Sequence, residues 1–205
     1  MFIYSIIRKF LFPIFRLPIK KISGVTNLPF RGGYLIASNH NDYLDGFFIT
    51  AAVIMRRPRQ VKFISETKNY WWTGGATIPV DKRNKGKSLE NALKFLNNGK
   101  IICLFPEGAR NNSDIILKAK TGLARLALWS KKPVVPLGII CGSGKTFFNS
   151  IKLFVLKKRP LEIRIGKPLT FPDLYDKKIT KDLLDEVSRR IMKEVAFLCQ
   201  KQYPH

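Results

Sequence analysis

His40 is the sole histidine in the body of the chain, because the other, His205, is the last residue. Histidine chemistry therefore rests on the run Ser38-Asn39-His40-Asn41-Asp42-Tyr43-Leu44-Asp45. Gly33 to Ser38 (GYLIAS) reads as a strand and Asp45 to Met55 as a helix, which leaves His40 in the turn between them. If both residues were helical, five steps of about 100° would set them about 140° apart and unable to pair. With His40 in the turn and Asp45 in the first helical turn, the carboxylate reaches back to the imidazole. It then fixes the tautomer and stabilises the imidazolium formed when the ring takes a proton. A histidine beside an aspartate is also a common structural pair. Position at the end of a strand, where the sites of open α/β sheets gather, favours the chemical reading.

Two further blocks leave strands in the same way. Phe105-Pro106-Glu107-Gly108-Ala109-Arg110 follows the apolar run KIICLF, so its polar residues emerge on the same sheet edge as His40. Pro and Gly shape a turn there, and Glu107 and Arg110 suit either a polar head group or each other as a surface ion pair. The stretch from Gly74 to Asn84 (GGATIPVDKRN) ends another strand in a basic cluster, with Lys85 and Lys87 close behind. A base, a carboxylate and cations on one sheet edge make an acid/base site for an anionic substrate.

Rival motifs fail on spacing. Gly142-Ser143-Gly144-Lys145-Thr146 lacks the glycine that a phosphate loop requires five residues before Gly144, where Ile139 stands. The following FFNSIKLFVLKKRP reads as loop and strand, not as the required helix. No G-x-S-x-G elbow occurs, and no acidic cluster suits a metal. Cys103, Cys141 and Cys199 form no CxxC pair, which predicts reduced thiols in a reducing compartment.

The elements that position these blocks alternate along 205 residues, a length that predicts one compact domain. Strands are predicted at 33–38, 61–65, 76–80, 100–105 and 133–140, with helices at 45–55, 88–97, 119–130 and about 180–200. Residues 151–156 and 161–165 are expected to form an antiparallel pair. Uniformly apolar strands between helices predict an α/β fold, a mostly parallel mixed sheet covered by helices. Thr180 suits an N-cap of the last helix, and Leu184, Val187, Ile191, Val195 and Leu198 form its apolar stripe.

Lys and Arg number 37 against 14 Asp and Glu, a net charge of +23 that calls for an anionic partner. The first 41 residues hold six basic residues and no acidic one, among Phe2, Ile3, Ile6, Phe10, Phe12, Ile14, Phe15 and Leu17. Residues 1–30 therefore read as a basic amphipathic helical arm, broken by Pro13 and Pro18, that either anchors on anionic lipid or caps the core. Residues 31–205 form the remaining domain. Arg8 and Lys9 split the apolar runs of the arm, so neither a signal peptide nor a spanning helix is predicted, and a peripheral position on the cytoplasmic face of a membrane is expected. A noncatalytic nucleic-acid-binding domain is the rival that the charge allows, although no specific nucleic-acid motif appears.

N-H-x4-D, then a strand ending I-P-V-D-K, then F-P-E-G-x-R, then V-V-P-L, in that order, resembles the glycerolipid acyltransferases, most of all the 1-acyl-sn-glycerol-3-phosphate acyltransferases that make phosphatidic acid. The four blocks span His40 to Gly138. The resemblance implies that His40 is the general base deprotonating the glycerol hydroxyl of a lysophospholipid, with Asp45 orienting it. It implies that Lys82 (where the family usually has Arg), Arg83 and Arg110 hold the phosphate, and that Glu107 and Gly108 position the glycerol backbone. Val135 and Pro136 would shape the acyl pocket, and Lys120 matches a basic element after the third block. No metal or cofactor is implied; acyl-CoA or an acyl carrier protein is the expected co-substrate, and a different lysolipid acceptor would need much the same groups. Ala109 and Asn111 replace the usual Thr and Ser, and the 68–75 stretch looks short. Tyr70, Trp71 and Trp72 in that stretch suit either a membrane interface or packing over a helix.

Overall fold

The computed structural model of the protein describes residues 10, 12–56, 59–65, 75–80, 83–141, 146–156 and 161–205. Seven strands form one sheet: β1 (Ile19–Ser23), β2 (Tyr34–Ser38), β3 (Val61–Ser65), β4 (Thr77–Pro79), β5 (Ile101–Leu104), β6 (Val134–Cys141) and β7 (Leu161–Ile165). Their spatial order is β1-β7-β6-β2-β5-β3-β4. From β6 to β4 every neighbouring pair is parallel, whereas β7 runs against β6 and carries β1 with it. This is the expected α/β architecture with a mostly parallel mixed sheet.

Period-two alternation divides the core between the two faces of the sheet. Leu35 and Ala37 of β2 and Ile102 and Leu104 of β5 pack beneath α3 (Lys85–Asn97), α4 (Gly122–Ser130) and α6 (Lys181–Cys199). Tyr34 and Ile36 of β2, Ile101 and Cys103 of β5 and Val135, Leu137 and Ile139 of β6 face the other way. They meet α2 (Asp45–Val53), with α1 (Phe12–Arg16) and α5 (Phe147–Val155) alongside it. Thr180 caps α6 by accepting a bond from the Leu183 amide at 3.2 Å, and the predicted stripe faces the sheet, with Val187, Ile191 and Val195 fully buried.

Two expectations change. Residues 151–155 belong to helix α5 and not to a strand, Leu156 caps that helix, and β7 pairs with β6 instead. The apolar residues Phe147, Phe148, Ile151, Phe154 and Val155 recur at three- and four-residue intervals, and Thr146 supplies an N-cap to the Asn149 amide at 3.2 Å. A helix thus does follow the 142–146 run, so the missing glycine at Ile139 is what excludes a phosphate loop; residues 142–145 themselves lie outside the described set. The predicted helical arm also ends sooner than expected. α1 stops before Pro18, and Ile19–Ser23 joins the sheet as its edge strand, with Lys20 and Lys21 exposed and the register irregular between Ile19 and Lys21. Residues 1–9 and the Tyr70-Trp71-Trp72 stretch lie outside the described residues.

Gly138 lets the end of α6 press onto β6. A Cβ there would stand 2.5 Å from the Leu198 carbonyl carbon and 2.6 Å from the Cys199 nitrogen, both backbone atoms that cannot swing aside. Gly138→Ala is expected to lower stability by about 1–3 kcal/mol, the usual range for overpacking. A urea unfolding midpoint equal to that of the parent would show that α6 can lift away without cost.

Candidate active site

The C-terminal ends of β2 and β5 are neighbours, with Ala37 opposite Leu104, so the His40 turn and the 105–111 loop leave the sheet side by side. His40 Nδ1 lies 2.9 Å from Asp45 Oδ2. The same oxygen accepts the backbone N–H groups of Asn41 at 2.7 Å and Asp42 at 2.8 Å. Two amide donors fix Oδ2 as an acceptor, so the third partner, Nδ1, carries its proton and Nε2 is left as the basic atom of the ring. Asp45 is fully buried; burial pushes its carboxyl up, while the bond from His40 and the His40 charge pull it back down. The imidazole plane is held by Phe105, stacked at 4.0 Å and 16°.

Glu107 joins the two loops. Its Oε1 accepts the His40 amide at 3.1 Å, and Oε2 accepts the Asn111 side-chain amide at 2.9 Å and the Leu117 N–H at 3.1 Å. The Asn111 N–H in turn donates to the His40 carbonyl at 2.7 Å. Buried and engaged on both oxygens, Glu107 acts in this structure as the clamp on the His40 backbone. Gly108 adopts φ 71°, and an added Cβ would lie 2.3 Å from Lys120 Nζ, so a bare α-carbon lets the lysine cross the loop. Arg110 is exposed and lies with its guanidinium 3.3 Å from the centre of the Tyr43 ring, inside the His40 turn. Exposed contacts of this kind contribute about 0.5–1 kcal/mol. Glu107, Gly108, Arg110 and Lys120 therefore gather beside His40 and Asp45.

The remaining candidates are placed differently. Arg83 is exposed beyond the end of β4, three strands from β2, so at a strand spacing of about 4.8 Å its backbone starts roughly 14 Å from the turn. Lys82 lies outside the described residues. Val135 and Pro136 are buried in β6 opposite Ile36 and Ala37, under the turn, where the Pro136 ring fills the space left by Gly166.

Residues given no role in the sequence reading hold the turn. Asn39 pairs with β6 through both amide atoms, donating to the Ile139 carbonyl at 2.9 Å and accepting from its N–H at 2.8 Å. Asn41 donates to the same carbonyl at 3.1 Å and accepts from Lys201 Nζ at 2.9 Å. Lys201 also donates to the Asn111 carbonyl at 3.2 Å, tying both loops to the chain beyond α6. Gln200, at φ 60°, turns that tail toward the loop, where Gln202 bonds Asp114 and Ile116 at 2.8 Å each. Asn39 and Asn41 flank the histidine and could have been suspected from their position alone. Lys201, 160 residues away from Asn41, leaves no local signal.

A carboxylate-braced imidazole with arginine and lysine close by is the arrangement that general-base chemistry on an anionic substrate requires. The acyltransferase family profile matches residues 20–140, more than half of the chain, and the protein belongs to that family. It is an acyl-transferring enzyme, and the nucleic-acid-binding alternative is not favoured. The 1-acyl-sn-glycerol-3-phosphate acyltransferase of Bacillus subtilis is 28% identical over 183 residues, covering 83% of this chain and 85% of that one. The protein of the same name from Limnanthes douglasii is 26% identical over 177 residues, 81% of this chain but 59% of the plant protein. The crystal structure of the 1-acyl-sn-glycerophosphate acyltransferase of Thermotoga maritima matches with a TM-score of 0.62 at 17% identity, over 95% of this chain and 82% of that one, a likeness of fold.

Glu107→Gln turns one carboxylate oxygen into a donor that faces other donors. It is expected to cost about 1–3 kcal/mol of stability and to lower turnover in the same variant. Parental melting and parental rate together would mean that the loop holds the His40 backbone without this clamp.

Proposed function

We propose that the protein moves a fatty acyl group from an acyl thioester to the free hydroxyl of a lysophospholipid, 1-acyl-sn-glycerol-3-phosphate, to give phosphatidic acid. The observation that carries this reading is the His40 Nδ1–Asp45 Oδ2 contact of 2.9 Å, which leaves Nε2 free to take a proton. In the reaction the hydroxyl oxygen attacks the thioester carbonyl as Nε2 removes its proton. The tetrahedral intermediate then collapses, the C–S bond breaks, and the proton on His40 passes to the departing thiolate.

The phosphate of the acceptor is held by Arg110 and Lys120 near the turn, with Lys82 and Arg83, which follow β4 in the sequence, as further cations. Arg110 adds planar donors and Lys120 a point charge. The names of the relatives support phosphatidic acid as product. The donor is acyl-CoA or an acyl carrier protein, both acidic and both suited to a chain of charge +23. No separate cofactor and no metal enter the scheme. The enzyme works at an anionic membrane surface, with the segment before β1 as its interfacial arm. Among the described residues no helix is long and apolar enough to cross a membrane, which fits attachment from one side. The side of the membrane proposed is the cytoplasmic face, in line with three cysteines that show no CxxC spacing.

His40→Ala is expected to keep the fold and lose about 10²–10⁴ in rate, the usual worth of a general base. The assay follows phosphatidic acid by mass spectrometry with purified enzyme, lysophosphatidic acid in mixed micelles and either acyl donor. Parental turnover by the folded variant would refute the mechanism, and activity only with another lysolipid would refute the acceptor.

A further inference from the structure

Helix α5 lies between the end of β6 and the start of β7, and those two points are neighbours, with Cys141 opposite Leu161. The start of β1 sits beside them, with Ile19 opposite Leu161. Because β7 and β1 run against the rest of the sheet, α5 and α1 are both delivered to the sheet end that carries His40. The two helices touch there, with the rings of Phe15 and Phe154 4.9 Å apart. Their outward faces are apolar. Phe148 is 82% exposed and Val155 66%, and Phe147, Ile151 and Leu156 are also open to solvent, as are Ile14 and Leu17 beside α1.

We propose that α5 is a lipid-docking helix, seated on an anionic bilayer surface and pinned to the catalytic turn. This rests on the lysophospholipid reading above. Charge selects the occupant. The sequence has no Asp or Glu before Asp42 and none between Asp114 and Glu162, while the second stretch alone carries ten Lys and Arg. A second copy of a chain at +23 would be repelled from such a face, whereas an anionic bilayer attracts it and accepts its aromatic side chains. Inward, the buried residue of α5 is Ser150, whose hydroxyl donates to Asp42 Oδ2 at 2.7 Å. Asp42 is itself fully buried, and its N–H is one of the three donors to Asp45 Oδ2. The Tyr43 and Phe147 rings meet at 5.9 Å. The helix that touches lipid and the turn that holds the base therefore form one packed unit, which sets His40 at a fixed height above the bilayer.

The test uses the full chain and vesicles of phosphatidylglycerol and phosphatidylcholine. The double variant Phe148→Ser with Val155→Ser is expected to bind these vesicles at least tenfold more weakly. It should acylate a short-chain, monomeric lysolipid at the parental rate within about twofold, and lose turnover on long-chain acceptor held in the vesicles. Phe148→Trp should gain a blue-shifted emission on adding vesicles, relative to the parent. Ser150→Ala should keep vesicle affinity but lose much of the rate gain that vesicles confer over monomeric acceptor. Equal vesicle binding by the double variant, or an unshifted tryptophan, would overturn the docking role of α5. An undiminished rate gain in Ser150→Ala would overturn its link to the turn. A parent that acylates monomeric acceptor yet ignores vesicles would sink the docking proposal and leave the enzymatic reading intact. A parent that binds vesicles through α5 but acylates no lysolipid would do the reverse.

Discussion

Asp45 Oδ2 sits at full burial and accepts three hydrogen bonds from the five residues that precede it: the His40 ring and the amides of Asn41 and Asp42. A carboxylate removed from water is costly, and here the turn itself supplies three donors to Oδ2, while the buried Oδ1 has no hydrogen-bond partner. The turn can take this path only while the carboxylate is present, and the carboxylate is tolerable only while the turn surrounds it. Orientation of the imidazole is a by-product of that mutual dependence. The outer shell follows the same logic. Asn39 extends the β2–β6 ladder by its side chain, Glu107 and Asn111 grip the two backbone polar groups of His40, and Lys201 joins Asn41 to Asn111. The turn is thereby bonded to β6, to the loop after β5 and to the tail after α6.

The sheet makes this arrangement possible because β2 and β5 end together while β6, on the other side of β2, runs on past them to Cys141. Each delivers one component: β2 the histidine, β5 the clamp and Arg110, β6 the carbonyl that receives both asparagines. β4 lies at the far edge, three strands from β2, so Arg83 starts well to the side of the turn.

Much of this was legible in the sequence because it is local. The H-x4-D interval, the apolar strands and the Thr180 cap each act within a few residues, and each holds in the structure. What escaped was what distance or ambiguity hid. The run Phe147–Val155 is apolar enough to be mistaken for a strand, and only its capping threonine and three-to-four spacing mark it as a helix. Both oxygens of Glu107 also bond the protein, a role as clamp on the His40 backbone that no spacing rule could foretell. Residues 1–30 read as a helical arm, but pairing with β7 draws Lys20 and Lys21 into the sheet. The contribution of Lys201 arises from the fold of the whole chain.

Among the described residues β1 is the last strand on one side of the sheet, and an open rim invites another chain to add itself. Lys20 and Lys21 stand exposed along it, and the irregular register after Ile19 bends the strand out of line. The opposite rim closes on Pro79, which has no N–H to offer. Both open sides of the sheet are thus poor templates for a neighbour's strand. On the membrane surface proposed above, where confinement to two dimensions multiplies lateral collisions, such rims would keep densely packed copies separate.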